Sequence, residues 1–189
     1  YKTELEVRPD GCDTESEAVT LPTTFDWTIL SVDATFAKTA TGSRVGMIVI
    51  SGKGANLYIR ANRTRHMSFT QTCDEIVMLK KAYPQISRVL IERKANGEAI
   101  IDTLHSKVPG LIGINPDGGK ESRAASIEPR AQAGQIFLPE GAVWLDDFVT
   151  EFALFPSSAK DDQVDALSQA VNFMATGIDV TRLVGMGKM

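Results

Sequence analysis

The order of its apolar runs constrains the fold of this chain more than any single motif does. Three strand-like runs come first, at residues 25–35, 43–51 and 55–65, with Gly42 marking one turn and Gly52-Lys53-Gly54 the next. Runs of that length joined by glycine turns pair as consecutive antiparallel strands. The spacing then predicts a helix over 70–83, with Ile76, Leu79 and Lys80 on one face and Pro84 ending it. From there strands and helices alternate: a strand at 89–92, a helix at 97–106, a strand at 110–114 and a helix at 121–133. A short extended segment at 136–138 and helices at 142–154 and 162–175 follow. An antiparallel three-strand meander followed by parallel strands is an α/β mixed sheet with helices on both faces. Its first strand sits centrally, beside the strand at 89–92.

Bulk properties narrow the class. At 189 residues and 43% hydrophobic content the chain can bury one good core. No apolar run approaches the length of a membrane span, and the polar, acidic start carries no signal peptide. Cys12 and Cys73 sit in unlike contexts, which suggests neither a disulfide framework nor a zinc site and fits a reducing, cytosolic compartment. Residues 1–24 are acidic and rich in Thr, Glu and Pro, and read as a linker or arm, with Leu5 and Val7 available for a short strand. Because the chain starts at Tyr1, it reads as a fragment of a larger protein, with a core over 25–178 and a flexible, glycine-rich tail at 179–189. The formal charge of −4 argues mildly against nucleic acid as partner, since duplex binding uses Lys and Arg to neutralise phosphates. A carboxylate cage that binds cations would reverse that inference locally.

Such a cage is what the acids suggest. Asp33 closes the apolar run Trp27-Thr28-Ile29-Leu30-Ser31-Val32, and Glu92 closes Val89-Leu90-Ile91. The last helix opens on Lys160-Asp161-Asp162-Gln163-Val164-Asp165, three acids where one or two would serve the helix dipole. Acids at two strand ends and one helix start are the layout of a two-metal hydrolase, whose ions lie roughly 3.5–4 Å apart. Magnesium and manganese suit carboxylate and water ligands, and no Cys or His cluster competes. Each acid also has a plainer reading. Asp33 would serve as a turn residue, and Glu92 would pair with Arg88, Arg93 or Lys94. Among the helix acids, capping accounts for one and a solvated face for another. Asp162 and Asp165 share a face at i, i+3 whereas Asp161 diverges, which makes Asp162 the leading ligand with Asp161 and Asp165 in support.

Other features carry less. Gly52-Lys53-Gly54 lacks the spacing of a phosphate loop and lies in a hairpin, and His66 and His105 lack ligand spacing. Arg60, Arg63, Arg65, Lys120, Arg123 and Arg130 are either a solvated face or phosphate contacts. Asp33-Ala34-Thr35 is loosely like the first phosphate motif of actin-like ATPases, but lacks its glycine and has no second phosphate loop.

With these residues in hand, the chain resembles the C-terminal nuclease domain of the large terminase subunit of tailed bacteriophages, over residues 25–178. The resemblance rests on Asp33, on Val89-Leu90-Ile91-Glu92 with Lys94-Ala95-Asn96-Gly97, and on Asn115-Pro116-Asp117-Gly118-Gly119-Lys120-Glu121-Ser122-Arg123-Ala124. It rests also on Phe152-Ala153-Leu154-Phe155-Pro156 leading into Lys160-Asp161-Asp162-Gln163-Val164-Asp165-Ala166. It implies an RNase H-like fold and a magnesium- or manganese-dependent endonuclease, using two ions, that cuts concatemeric double-stranded DNA during genome packaging. By position it implies Asp33, Glu92 and Asp162 as the catalytic, metal-binding triad, with Asp161 a possible fourth ligand. Lys94, Lys120, Arg123 and Lys160 are then the candidate DNA contacts; Lys160 stands where many relatives have His, and a Lys there touches phosphate instead. The implied partners are a packaging ATPase domain of the same protein, whose phosphate loop is not in this sequence, the small terminase subunit and the portal. The implied location is the cytoplasm of an infected bacterium. Two readings stand beside this one: another RNase H-like nuclease such as a junction resolvase, and a non-catalytic domain that docks DNA or portal.

Overall fold

A computed structural model describes residues 19–34, 43–115, 118–158 and 160–176. The expectations for most of the N-terminal arm, including Leu5 and Val7, and for the tail lie outside the described residues. The predicted meander is present as β1 (Trp27–Asp33), β2 (Ser43–Lys53) and β3 (Asn56–Asn62). After β4 (Arg65–Met67) come α1 (Phe69–Ala82), β5 (Arg88–Glu92), α2 (Ala95–Leu104) and β6 (Leu111–Ile114). The chain continues through α3 (Lys120–Ala124), α4 (Glu128–Gln132), β7 (Ile136–Phe137), α5 (Leu145–Leu154) and α6 (Asp162–Ala175). Strand order in the sheet is β6-β5-β1-β2-β3-β7, with β4 on β2. The central strand β1 is antiparallel to β2 and parallel to β5.

Side chains alternate across a strand, so each strand feeds two cores. Leu30, Val32, Val49, Val89 and Ile91 pack with Ile76 and Leu79 of α1 and Ile100 and Leu104 of α2. Ile29, Ile48, Ile50 and Leu90 pack on the opposite face with Phe148 of α5 and Leu167, Ala170 and Val171 of α6. The mixed sheet with helices on both faces is therefore as expected. The same parity places Asp33, two residues beyond Ser31, and Glu92, two beyond Leu90, on the α6 face.

Four local departures have physical causes. The third predicted strand ends at Asn62, whose buried side chain bonds Gln163 and Thr64, and the chain turns there into β4. The helix predicted over 121–133 is two helices, because Pro129 lacks the N–H that a continuous helix would use and Ile127 turns into the core instead. The helix predicted from residue 142 starts at Leu145, after Gly141 takes a left-handed φ of 70°. Gly97 does not open α2 but sits in its first turn, where a Cβ would meet the Glu92 carbonyl oxygen at 1.8 Å. Only glycine lets that turn lie against the end of β5.

Helix α1 is closed by a reciprocal cap: Ser68 Oγ accepts from Gln71 N, and Gln71 Oε1 accepts from Ser68 N at 2.8 Å. Ser68→Ala should therefore cost about 1 kcal/mol. Denaturant unfolding reads that cost, and manganese affinity should stay unchanged because α1 packs on the face away from Asp33.

Candidate active site

The site is built where β1 and β5 end. Val32 is the register partner of Ile91, so Asp33 and Glu92 follow side by side at adjacent parallel strand ends. Neighbouring strands lie roughly 4.8 Å apart. Both acids are buried, at 6% and 5% exposure, which is unusual for carboxylates at strand ends and marks them as facing a covered region.

Helix α6 supplies the cover. Gln169 Nε2 donates to Ser31 Oγ at 2.9 Å, and it also reaches the carbonyl oxygens of Val32 and Leu90. This side chain pins α6 across β1 and β5. The N-terminus of α6 lies against β2: a Cβ at Gly46 would meet the Asp162 carbonyl oxygen at 2.3 Å, and Gly46 is the cross-strand partner of Asp33. The helix therefore runs back along the sheet from the ends of β1 and β5. Asp165 precedes Gln169 by one turn, about 6 Å of helix, which spans about two strand residues. Two residues beyond Ser31 and Leu90 are Asp33 and Glu92. Asp165 itself is buried at 4% exposure. Asp33, Glu92, Asp165 and Asp162 thus lie toward the same end of one sheet face.

Asp162 is half-buried and Asp161 is the residue preceding the helix, its carbonyl accepting from Asp165 N at 2.8 Å. One oxygen of Asp162 accepts from Arg44 Nη1 at 2.7 Å, and the same guanidinium nitrogen reaches Glu151 at 2.7 Å. Burial pushes the Asp162 carboxyl above its ordinary range, more than the Arg44 hydrogen bond and charge pull it down; Glu151 and Asp161 push it the same way. For Arg44, burial acts against the charge, yet hydrogen bonds and charges from Glu151 and Asp162 outweigh it and hold the guanidinium above its usual pKa.

The chemistry of these groups suits a hard divalent cation, since they are carboxylates with no thiol or imidazole among them. Among the described residues no three His, Cys, Asp or Glu side chains are grouped closely enough to hold a metal ion. Two of the acids are instead engaged by cations: Glu92 by Lys94 Nζ at 2.5 Å, and Asp162 by Arg44. The Lys94 pair is one of the plainer readings of Glu92, and it is present.

The basic residues separate into two groups. Lys94 and Lys160 flank the acids and are about half and mostly exposed, with Lys160 only 3.9 Å from Asp147. Lys120 and Arg123 lie on α3, whose backbone is described while those two side chains are not. The others are committed elsewhere. Arg63 and Arg65 pair with Glu75, Arg60 stacks on Phe25 at 4.8 Å, and Arg130 donates to the Ala55 carbonyl. His66 and His105 are exposed.

Sequence reasoning missed Arg44, Glu151, Gln163 and Gln169. Two of them leave a trace: Glu151 falls three residues after buried Phe148 on the apolar face of α5, and Arg44 is the second residue of β2, directly before its apolar run. A charge at an inward position of an amphipathic element is the signal.

Comparison with known proteins agrees with this geometry. Residues 31–173 match the family model of the terminase RNaseH-like domain. No curated protein is significantly similar in sequence. Among solved structures, the large terminase of the thermophilic bacteriophage D6E aligns with a TM-score of 0.61 at 13% identity, covering 84% of this chain and 42% of that one. The human cytomegalovirus terminase nuclease domain aligns with a TM-score of 0.60 at 12% identity, covering 85% of this chain and 90% of that domain. The large terminase nuclease of thermophilic phage G20c, with bound zinc, aligns at 0.59 and 15% identity, covering 77% and 81%. The chain thus spans about two fifths of the D6E large terminase and most of the two nuclease domains. With the strand order, the terminal acids and the family match all over the same residues, the chain belongs to the terminase RNaseH-like domain family.

Proposed function

We propose that this domain is a divalent-metal-dependent endonuclease that hydrolyses phosphodiester bonds of double-stranded DNA, cutting concatemeric viral DNA during genome packaging. The observation that carries the reading is the placement of Asp33 and Glu92 side by side on the face covered by the acidic start of α6. The relatives support it: one similar structure is a terminase nuclease with bound zinc, and the cytomegalovirus nuclease domain has been soaked with manganese.

Magnesium or manganese ions, when bound, supply Lewis acidity, neutralising phosphate charge and lowering the pKa of water. Asp33 and Glu92 would hold them from the sheet, and Asp162 and Asp165 from the helix, with Asp161 beside them. Ionised carboxylates are acceptors only, so these side chains orient cations and water but donate nothing to the leaving oxygen. Lys94 and Lys160 would hold the DNA backbone on either side, with Lys120 and Arg123 extending the track along α3. Such contacts fix the register of the duplex without reading its sequence. In the whole protein a packaging ATPase domain, the small terminase subunit and the portal would deliver the DNA, in the cytoplasm of an infected bacterium.

The test is incubation with supercoiled plasmid in manganese, magnesium or EDTA. We expect nicking and linearisation with either metal and none with EDTA, with linear duplex cut as readily as branched DNA. Preference for four-way junctions would favour a resolvase, and no cleavage under any metal would leave a docking domain.

A further inference from the structure

Helix α6 has no cap of its own. Asp161 precedes it, and no side-chain cap hydrogen bond comes from that residue. The first N–H groups of a helix have no partner within it, and leaving them buried without one is costly. Here the acceptor comes from another helix. Glu151 of α5, with a side chain 2% exposed, accepts from Gln163 N at 2.6 Å and from Val164 N at 3.3 Å through Oε1. Its Oε2 accepts from Gln163 Nε2 at 2.7 Å and from Arg44 Nη1 at 2.7 Å. Arg44 carries the connection onward to Asp162, and Gln163 carries it to Asn62 on β3.

A buried carboxylate with four donors, two of them backbone amides at the start of the helix that bears Asp162 and Asp165, fixes where that helix begins. From this we infer that Glu151 is a positioning residue for the acidic site: it caps α6 from α5 and, with Arg44, holds Asp162 and Asp165 against Asp33 and Glu92. The inference rests on the nuclease reading above. Glu151 touches none of the reacting groups in this scheme. It acts through the helix, as the partners behind metal ligands do elsewhere, where their loss typically costs about 10–100-fold in metal affinity or activity.

The experiment compares Glu151→Gln and Glu151→Ala with Phe148→Leu, a core substitution one turn earlier on α5 that leaves the polar cluster intact. Each is measured by thermal unfolding, by calorimetric titration with manganese, and by the separation of kcat from KM on plasmid. The isosteric Gln keeps the helix packed while removing the charge. We expect manganese affinity to fall by about tenfold or more in Glu151→Gln, and kcat to fall with KM unchanged. Phe148→Leu should lower Tm yet keep parental manganese affinity and kcat. Manganese binding by Glu151→Gln equal to that of the parent would overturn the positioning role while leaving the nuclease reading intact. The same loss of affinity in Phe148→Leu would overturn it too, by showing that stability alone sets the site. Absence of manganese binding by the parent chain would overturn both.

Discussion

Replacing Asp33 by Asn is expected to reduce plasmid cleavage by at least about 10³-fold, roughly 4 kcal/mol of transition-state stabilisation, without unfolding the domain. In the proposed site Asp33 is central: Glu92 ends the neighbouring strand β5, and Asp162 lies over Gly46, the cross-strand partner of Asp33. On the proposed reading, removing its charge takes away one of the carboxylates that would hold the ions. The amide keeps the shape of this buried side chain, so the surrounding fold is preserved. Burying a charged carboxylate is costly, and functional sites are commonly held at some cost to stability. The melting temperature of Asp33→Asn should therefore equal or exceed that of the parent. Manganese should raise the parent's melting temperature and leave the variant's unchanged, since a ligand stabilises only the state that binds it. Cleavage at the parental rate by folded Asp33→Asn would remove Asp33 from the mechanism.

The second large effect is expected at a residue with no side chain. In Gly46→Val the new Cβ would meet the Asp162 carbonyl oxygen at 2.3 Å and its carbonyl carbon at 2.8 Å. Both are backbone atoms at the start of a buried helix, so they cannot swing aside as the end of a long side chain would. The start of α6 must lift from β2, carrying Asp162 and Asp165 with it. Overpacking of this kind costs about 1–3 kcal/mol. A displacement of about 1 Å at a catalytic constellation costs on the order of 10²-fold in rate. The variant should thus lose activity out of proportion to its stability, retaining a cooperative unfolding transition. Unaltered activity in Gly46→Val would mean that α6 need not lie this close to β2.

The same glycine shows where the sequence stops being legible. Gly46 falls in the middle of an apolar strand, and nothing local says that a helix residue more than a hundred positions later, Asp162, will rest on it. Asp33 and Glu92 were readable because each ends a short apolar run, and a run of buried strand residues fixes the parity of the residue at its end. The meander and the alternation after it were readable for the same reason, as periodicity is a local property. The break at Pro129 was written in the sequence and should have split the predicted helix. Asp165 could be placed on the face of Asp162 from helical spacing, but where α6 sits along the sheet depends on Gln169 bonding to β1 and β5. A charge in an amphipathic element, such as Arg44 or Glu151, looks solvated until its partners are known. Their partners come from three separate elements, β2, α5 and α6, which only the tertiary fold brings together.

Whether these acids bind a metal is decided most directly by growing crystals of the domain with manganese and collecting diffraction at the manganese absorption edge. We expect anomalous density within roughly 2–2.5 Å of a carboxylate oxygen of Asp33 and of at least one of Glu92, Asp162 and Asp165. Lys94 or Arg44 should have moved off the acid it now engages. Manganese bound elsewhere, with Asp33 and Glu92 unligated at saturating metal, would contradict the two-strand, one-helix metal site.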